Sequence, residues 1–247
     1  MKNLLAVDIG NTNINLGLFR GDILSKRFIF SSKKTDYNKS LGKIFKAYKI
    51  DKVIICSVVP ETTRVFEKSL LLFLKDKPLV LGKNIKVPII NKYNFPRQVG
   101  QDRLVNAYAA LRLYGYPAIV VDFGTAITFD VVSKKREYLG GLILPGLGIS
   151  LEALTQKTAL LPKVKIRPPK GLIGKNTADS ILSGMVYGFA LMTDGLINRL
   201  KPFLKNRPKI IGTGGNIEFI AKYCREFNRV DKDLTLKGLN LIYKAVI

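Results

Sequence analysis

The chain has 247 residues, 47% of them hydrophobic, enough for one large domain or two of ordinary size and incompatible with general disorder. It carries 41 Lys and Arg against 18 Asp and Glu, a formal net charge of +23, and no histidine. Without histidine there is no Ser-His-Asp, Cys-His or His-metal chemistry, so proton abstraction near neutral pH falls to Asp, Glu, Lys, Tyr or Cys.

Met1-Lys2-Asn3 runs straight into a strand-like segment, without the layout of a signal peptide. No apolar run approaches the roughly 20 residues of a membrane span. Cys56 stands in an apolar run and Cys224 on an expected helix, and neither has metal or redox spacing. A reducing, cytoplasmic setting is expected. The basic residues are spread along the whole chain, with no arginine-rich tail, zinc-finger spacing or aromatic RNA-binding signature. A solvated basic surface that attracts anionic metabolites is therefore preferred to nucleic-acid binding.

In chain order, three strands are expected at Leu4–Asp8, Ile14–Phe19 and Ile23–Phe30, with Gly21-Asp22 as the second turn. Ser40–Tyr48 reads as an amphipathic helix, Lys52–Val58 as a buried strand, and Glu61–Leu74 after Pro60 as a helix. A short strand Leu79–Leu81 and a loop Asn84–Pro96 precede a helix at Arg103–Tyr114. Strands then recur at 118–122, 126–132 and 138–144, followed by a helix at about 148–157 and a Pro- and Lys-rich loop at 162–175. A long helix Asn176–Leu200, interrupted by Gly184, Gly188 and Gly195, leads to a strand at Ile210–Ile211. Helices at Asn216–Phe227 and Lys237–Val246 close the chain. Both halves open with three strands, so the expected fold is α/β with two duplicated domains, 1–112 and 113–247, and a nucleotide cleft between them.

The most informative feature is a device that occurs twice. Asp8-Ile9-Gly10-Asn11-Thr12 follows the apolar run Leu4-Leu5-Ala6-Val7, and Asp122-Phe123-Gly124-Thr125-Ala126 follows Ala118-Ile119-Val120-Val121. One such turn is a plain hairpin. Two, each ending a buried strand, favour phosphate binding: Gly brings the backbone N–H groups close, Thr adds donors, and Asp can hold Mg²⁺.

Gly100-Gln101-Asp102-Arg103 precedes a helix, where Asp102 is either an N-cap or a general base beside a cation able to hold carboxylate or phosphate. Gly212-Thr213-Gly214-Gly215 lies between a strand and a helix and is either a turn or a seat for a base or ribose. Gly140–Gly146 is a tight bend or a pocket lining. Gly174-Lys175-Asn176-Thr177 is not a Walker loop, because Pro169 stands where Gly is required and Asn176 where Ser or Thr should follow the Lys.

Taken in order, from Asp8 to Gly215, these motifs resemble the type III pantothenate kinases, members of the acetate and sugar kinase, heat-shock ATPase and actin superfamily. The resemblance implies paired ribonuclease-H-like domains, a homodimer, and ATP-dependent phosphorylation of pantothenate to 4′-phosphopantothenate, the first step of coenzyme A biosynthesis. It implies that Asp8, Ile9, Gly10, Asn11, Thr12, Asn13, Ile14 and Asn15 form the first phosphate loop. Thr125 would be an ATP contact, and Thr213, Gly214 and Gly215 the adenosine motif. Tyr93, Gly100, Gln101, Asp102, Arg103 and Thr177 match the pantothenate contacts, with Asp102 as the base. Asp122 matches a ligand of a monovalent cation, potassium or ammonium, and Asp8 is assigned to Mg²⁺. The family's usual Asn before Pro96 is Phe95 here. No membrane or nucleic-acid partner is expected. Two alternatives stay open: a non-enzymatic regulatory accessory factor of the same fold, and a kinase for another small alcohol.

Overall fold

The structure, a computed structural model, describes residues 3–247; the Met1-Lys2 start falls outside them. The chain divides into two compact units, 3–113 with 233–247, and 114–232.

In the first unit, β1 (Asn3–Ile9), β2 (Asn13–Arg20) and β3 (Ile23–Ser31) form an antiparallel meander. β4 (Lys52–Ser57) and β5 (Leu79–Val80) add in parallel, giving the order β3-β2-β1-β4-β5. β1 is central: Leu5, Val7 and Ile9 lie in the core on one face and Leu4 and Ala6 are buried on the other, as expected for a strand covered on both faces. α1 (Asn38–Ala47) and α2 (Pro60–Leu70) are the crossovers. A two-residue β6 (Ile90–Asn91) lies in the connection to α3 (Gln101–Leu113). Pro60 starts α2, which ends before the expected Leu74.

The second unit repeats the plan. β7 (Ala118–Phe123), β8 (Ala126–Val132) and β9 (Glu137–Pro145) form the meander, and β10 (Lys209–Thr213) and β11 (Arg229–Val230) continue in parallel on the far side of β7. Ile119, Val121, Phe123, Ile127, Phe129 and Val131 line one face and pack with residues of α4 (Leu147–Lys157) and α5 (Thr177–Leu200). α5 is continuous through Gly184, Gly188 and Gly195, contrary to the expected interruption. The stretch Thr177–Leu204 is long and apolar enough to cross a membrane by length and composition. Here α5 is a core helix of this unit, with Leu182, Met185, Val186 and Ile197 buried.

Two further expectations need correction. The helix expected over Asn216–Phe227 is only α6 (Ile217–Ile220) and a 3₁₀ turn, because Asp194 on α5 accepts the amides of Arg225 and Glu226 and draws the chain away from a helical path. The last helix, α7 (Leu234–Val246), packs against α3 and β1 in the first unit, whereas a division at residue 112 assigns it to the second. Gly238 permits this packing: a β-carbon there would stand 2.7 Å from Val105 Cγ1 and 2.9 Å from the Val105 carbonyl.

Candidate functional site

The two Asp-Gly turns occupy the same place in their respective sheets. Asp8 is the penultimate residue of β1, opposite Asn15 in the hairpin and beside Cys56 of the parallel β4. Asp122 is the penultimate residue of β7, opposite Thr128 and beside Thr213 of the parallel β10.

Hydrogen bonds build each loop from behind. The Gly10 amide donates to the Asn13 carbonyl at 3.0 Å. Ser32, the residue after β3, donates its amide to the Thr12 carbonyl at 3.0 Å and its hydroxyl to the Gly10 carbonyl at 2.6 Å. In the second unit the Gly124 amide donates to Ala126 at 3.1 Å. Gly146, the residue after β9, donates to the Thr125 carbonyl at 3.0 Å. With their carbonyls turned inward, such loops can present amides to an anion. Ile9 and Ile14 are fully buried core residues, so any phosphate contact they make is through backbone. Asn11, Thr12, Asn13 and Thr125 are exposed.

Asp102 is not the N-cap of α3. The helix begins at Gln101, the Gly100 carbonyl accepts the Leu104 amide at 3.4 Å, and Asp102 sits in the first turn. Asp102 Oδ1 accepts the Arg103 amide at 2.8 Å and lies 2.5 Å from where a β-carbon on residue 100 would stand. Gln101 packs its amide against Gly82, whose φ is +79°. Arg103 is buried. Tyr93 lies in the 81–100 connection, its amide held by Asn91 Oδ1 at 3.0 Å.

Asp8, Asp102 and Cys56 form one electrostatic cluster. Burial, and next the charge of Asp102, push the Asp8 carboxyl up from 3.8 to about 7, although an Asn15 Nδ2 bond at 3.4 Å favours the charged form. Burial also raises Asp102, opposed by the amide and guanidinium of Arg103. Burial and both carboxylates hold the Cys56 thiol well above its usual range, so it is an inert neighbour rather than a nucleophile. A carboxylate whose pKa burial raises is a stronger base toward an alcohol proton than an exposed one.

In the second unit the Asp122 carboxylate lies over bare glycine backbone. Its Oδ1 would meet a β-carbon on Gly214 at 2.3 Å and one on Gly124 at 3.5 Å. Gly214 also has φ +96°, open to glycine and costly for other residues. Thr213, the register partner of Asp122, has a buried hydroxyl without a hydrogen-bond partner. Gly215 is exposed beside it. Thr177 is exposed as the first residue of α5, after Asn176, whose Oδ1 caps the helix by accepting the Asp179 amide at 2.9 Å.

Among the described residues no three of His, Cys, Asp and Glu gather to hold a metal by themselves. The donors fit hard cations that draw part of their shell from phosphate and water, as Mg²⁺ does: the Asp8 carboxylate, raised by burial and next by the charge of Asp102, whose repulsion a cation would relieve. The Asp122 carboxylate and the orphaned Thr213 hydroxyl are oxygen donors of the kind that would suit a monovalent cation.

Sequence reasoning missed Ser32 and the proximity of Cys56 to the two carboxylates. Ser32 carries no signal beyond following a strand. Cys56 is placed by the parallel pairing of β1 and β4, which a sequence does not display.

A family model described as type III pantothenate kinase matches residues 4–199. The chain is 41% identical over 250 residues to a type III pantothenate kinase of Halalkalibacterium halodurans, covering 98% of each chain. Among solved structures it is similar to a conserved protein of Campylobacter jejuni provisionally placed in the Baf family of transcriptional activators, at 23% identity and TM-score 0.64, covering 98% of each chain. It is also similar to a glucokinase from an Antarctic psychrotroph, at 12% identity and TM-score 0.53, covering 99% of each. These structural likenesses bear on the fold alone: two ribonuclease-H-like units of the actin-like ATPase and sugar kinase type.

Proposed function

This chain belongs to the type III pantothenate kinase family, and from that premise we propose that it transfers the γ-phosphoryl group of ATP to the primary alcohol of pantothenate. The reaction opens coenzyme A biosynthesis. The single observation that carries the residue assignment is the Asp102 carboxylate, seated against Gly100 at the start of α3 beside the buried Arg103, with burial raising its pKa.

Asp102 takes the hydroxyl proton as the alcohol oxygen bonds to the γ-phosphorus, and Arg103 bears the charge of the acceptor or the phosphoryl group. Tyr93, Gly100, Gln101 and Thr177 orient pantothenate. The amides of the Gly10 loop, from Asn11 to Asn15, and Thr125 meet the phosphates, and Thr213-Gly214-Gly215 receives the adenosine. Asp8 would hold Mg²⁺, and Asp122 with Thr213 would hold potassium or ammonium; these cations supply charge neutralisation when bound. Rate enhancement comes from positioning and charge stabilisation. The same reading makes the protein a cytoplasmic homodimer without membrane or nucleic-acid partners. A regulator without catalysis is not favoured, because Asp8 and Asp102, which a non-catalytic protein could dispense with, are both present.

A coupled assay with pantothenate and Mg-ATP, with and without potassium, tests this. Potassium-dependent turnover is expected. No turnover by folded protein overturns the reading.

A further inference from the structure

The irregular segment 162–175 is held to the start of α5 by one buried carboxylate, Asp179, and by the hydroxyls of Ser180 and Ser183. Asp179 lies in the first turn of α5 and is 7% exposed. Its Oδ1 accepts from Arg167 Nη2 at 2.6 Å, its Oδ2 accepts from Asn176 Nδ2 at 2.9 Å, and Lys170 Nζ lies 3.7 Å from Oδ2. Its amide in turn donates to Asn176 Oδ1, so Asn176 and Asp179 grip each other across Thr177 and Ala178. This is the reciprocal logic of a capping box, with an added guanidinium.

The segment then lies directly on the helix. A β-carbon on Gly174 would stand 2.2 Å from the Ser180 amide nitrogen. Ser180 Oγ donates to the Gly174 carbonyl at 3.3 Å, and Ser183 Oγ donates to the Leu172 carbonyl. Leu172 and Ile173 are exposed, so burial of apolar surface does little to hold this stretch. The ion pair with Arg167 and the Asn176 bond keep the Asp179 carboxyl below its usual range, as a partnered charge requires.

We propose that Asp179 is a positioning residue for the acceptor substrate, clamping segment 162–175 to α5 and thereby setting the backbone and side chain of Thr177. This rests on the reading of Thr177 as a pantothenate contact. The polar partners of the Asp179 carboxylate are Arg167, Asn176 and Lys170, so its role is to position rather than to react. Losing it frees the segment and blurs Thr177, and the chemistry at Asp102 is left in place.

The test compares the full chain with Asp179→Asn, Asp179→Glu and Arg167→Gln. In Asp179→Asn the KM for pantothenate rises about tenfold or more, while the KM for ATP and kcat stay within about twofold. Asp179→Glu, which keeps the charge at a position where Glu caps well, restores most of the loss. Arg167→Gln reads the same clamp from its other side if Asp179→Asn does not fold. Trypsin should cut at Lys163, Lys165 or Lys170 faster in Asp179→Asn than in the unmodified chain. An unchanged pantothenate KM overturns the proposal. So does a uniform loss in both KM values and kcat with a lowered Tm and no rescue by Glu. Absence of pantothenate turnover in the unmodified chain overturns the kinase reading instead; equal tryptic protection in both proteins then overturns the clamp on its own.

Discussion

Ser32 and Gly146 make the same bond in the two units. Each follows the third strand of its meander, and each donates its amide at 3.0 Å to the carbonyl of a loop threonine, Thr12 or Thr125. The residues differ because the spaces differ. A β-carbon on Gly146 would stand 2.3 Å from the Thr125 carbonyl oxygen and 2.6 Å from that of Gly124, both backbone atoms. Ser32 has room for a side chain and uses it to hold the Gly10 carbonyl.

Gly146→Ala should therefore destabilise the protein by about 1–3 kcal/mol, as overpacking against fixed atoms does. Ser32→Ala should cost about 1 kcal/mol, the loss of one hydrogen bond. Urea unfolding of both variants checks the order. Equal losses would show that the second loop yields more than its backbone contacts imply.

Gly100→Ala poses the opposite case, since what stands in the way is the end of a side chain. The Asp102 carboxylate must swing off residue 100. Activity should fall about tenfold or more with Tm nearly unchanged, because a displaced base loses its geometry before the fold loses anything. Asp102→Asn should lower kcat by about 10²–10⁴-fold with the fold intact. Steady-state kinetics and thermal melts on the same preparations decide both; full activity in Asp102→Asn would falsify its role as the base.

The Asp8 carboxyl gives a pH signature. Its pKa in the folded chain is about 7, against 3.8 for the unconstrained group, so the folded state holds this proton more tightly. Its contribution to stability is full below about pH 4 and is lost as pH rises through 7. Asp8→Asn should raise Tm at pH 8 by at least about 3 °C in the absence of nucleotide and metal, with the difference gone by about pH 4. Melts across that range measure it. A variant less stable than the parent at pH 8 contradicts the burial argument.

Thr213 separates stability from ligand binding. Its hydroxyl is buried without a partner, so Thr213→Val removes an unsatisfied group and should leave Tm unchanged or higher. The same variant should weaken potassium activation or raise the KM for ATP by about fivefold or more. Asp122→Ala should raise the potassium concentration needed for half-activation. A potassium response identical to the parent's in both variants removes these residues from the cation site.

Most of the fold was legible because strand signals here are strong and local. The apolar runs ending in Asp8 and Asp122 mark the two central strands, and the turn residues after them mark the hairpins. The expectation failed where a distant group took over a local preference. The run after Asn216 has helical composition, yet Asp194 captures its amides. For Asp102, where the sequence leaves cap and base both open, the helix start at Gln101 puts the carboxylate in the first turn, with its Oδ1 on the Arg103 amide.

The sequence by itself determined the two repeated Asp-Gly turns, the strand order within each meander and the carboxylates available for chemistry, since periodicity and turn propensity act over a few residues. Only the tertiary structure decided that Cys56 stands beside Asp8, that Ser32 and Gly146 brace the loops, and that α7 closes the first unit. Register, desolvation and close packing at Gly238 depend on residues far apart in the chain, and no local pattern encodes which of them will meet.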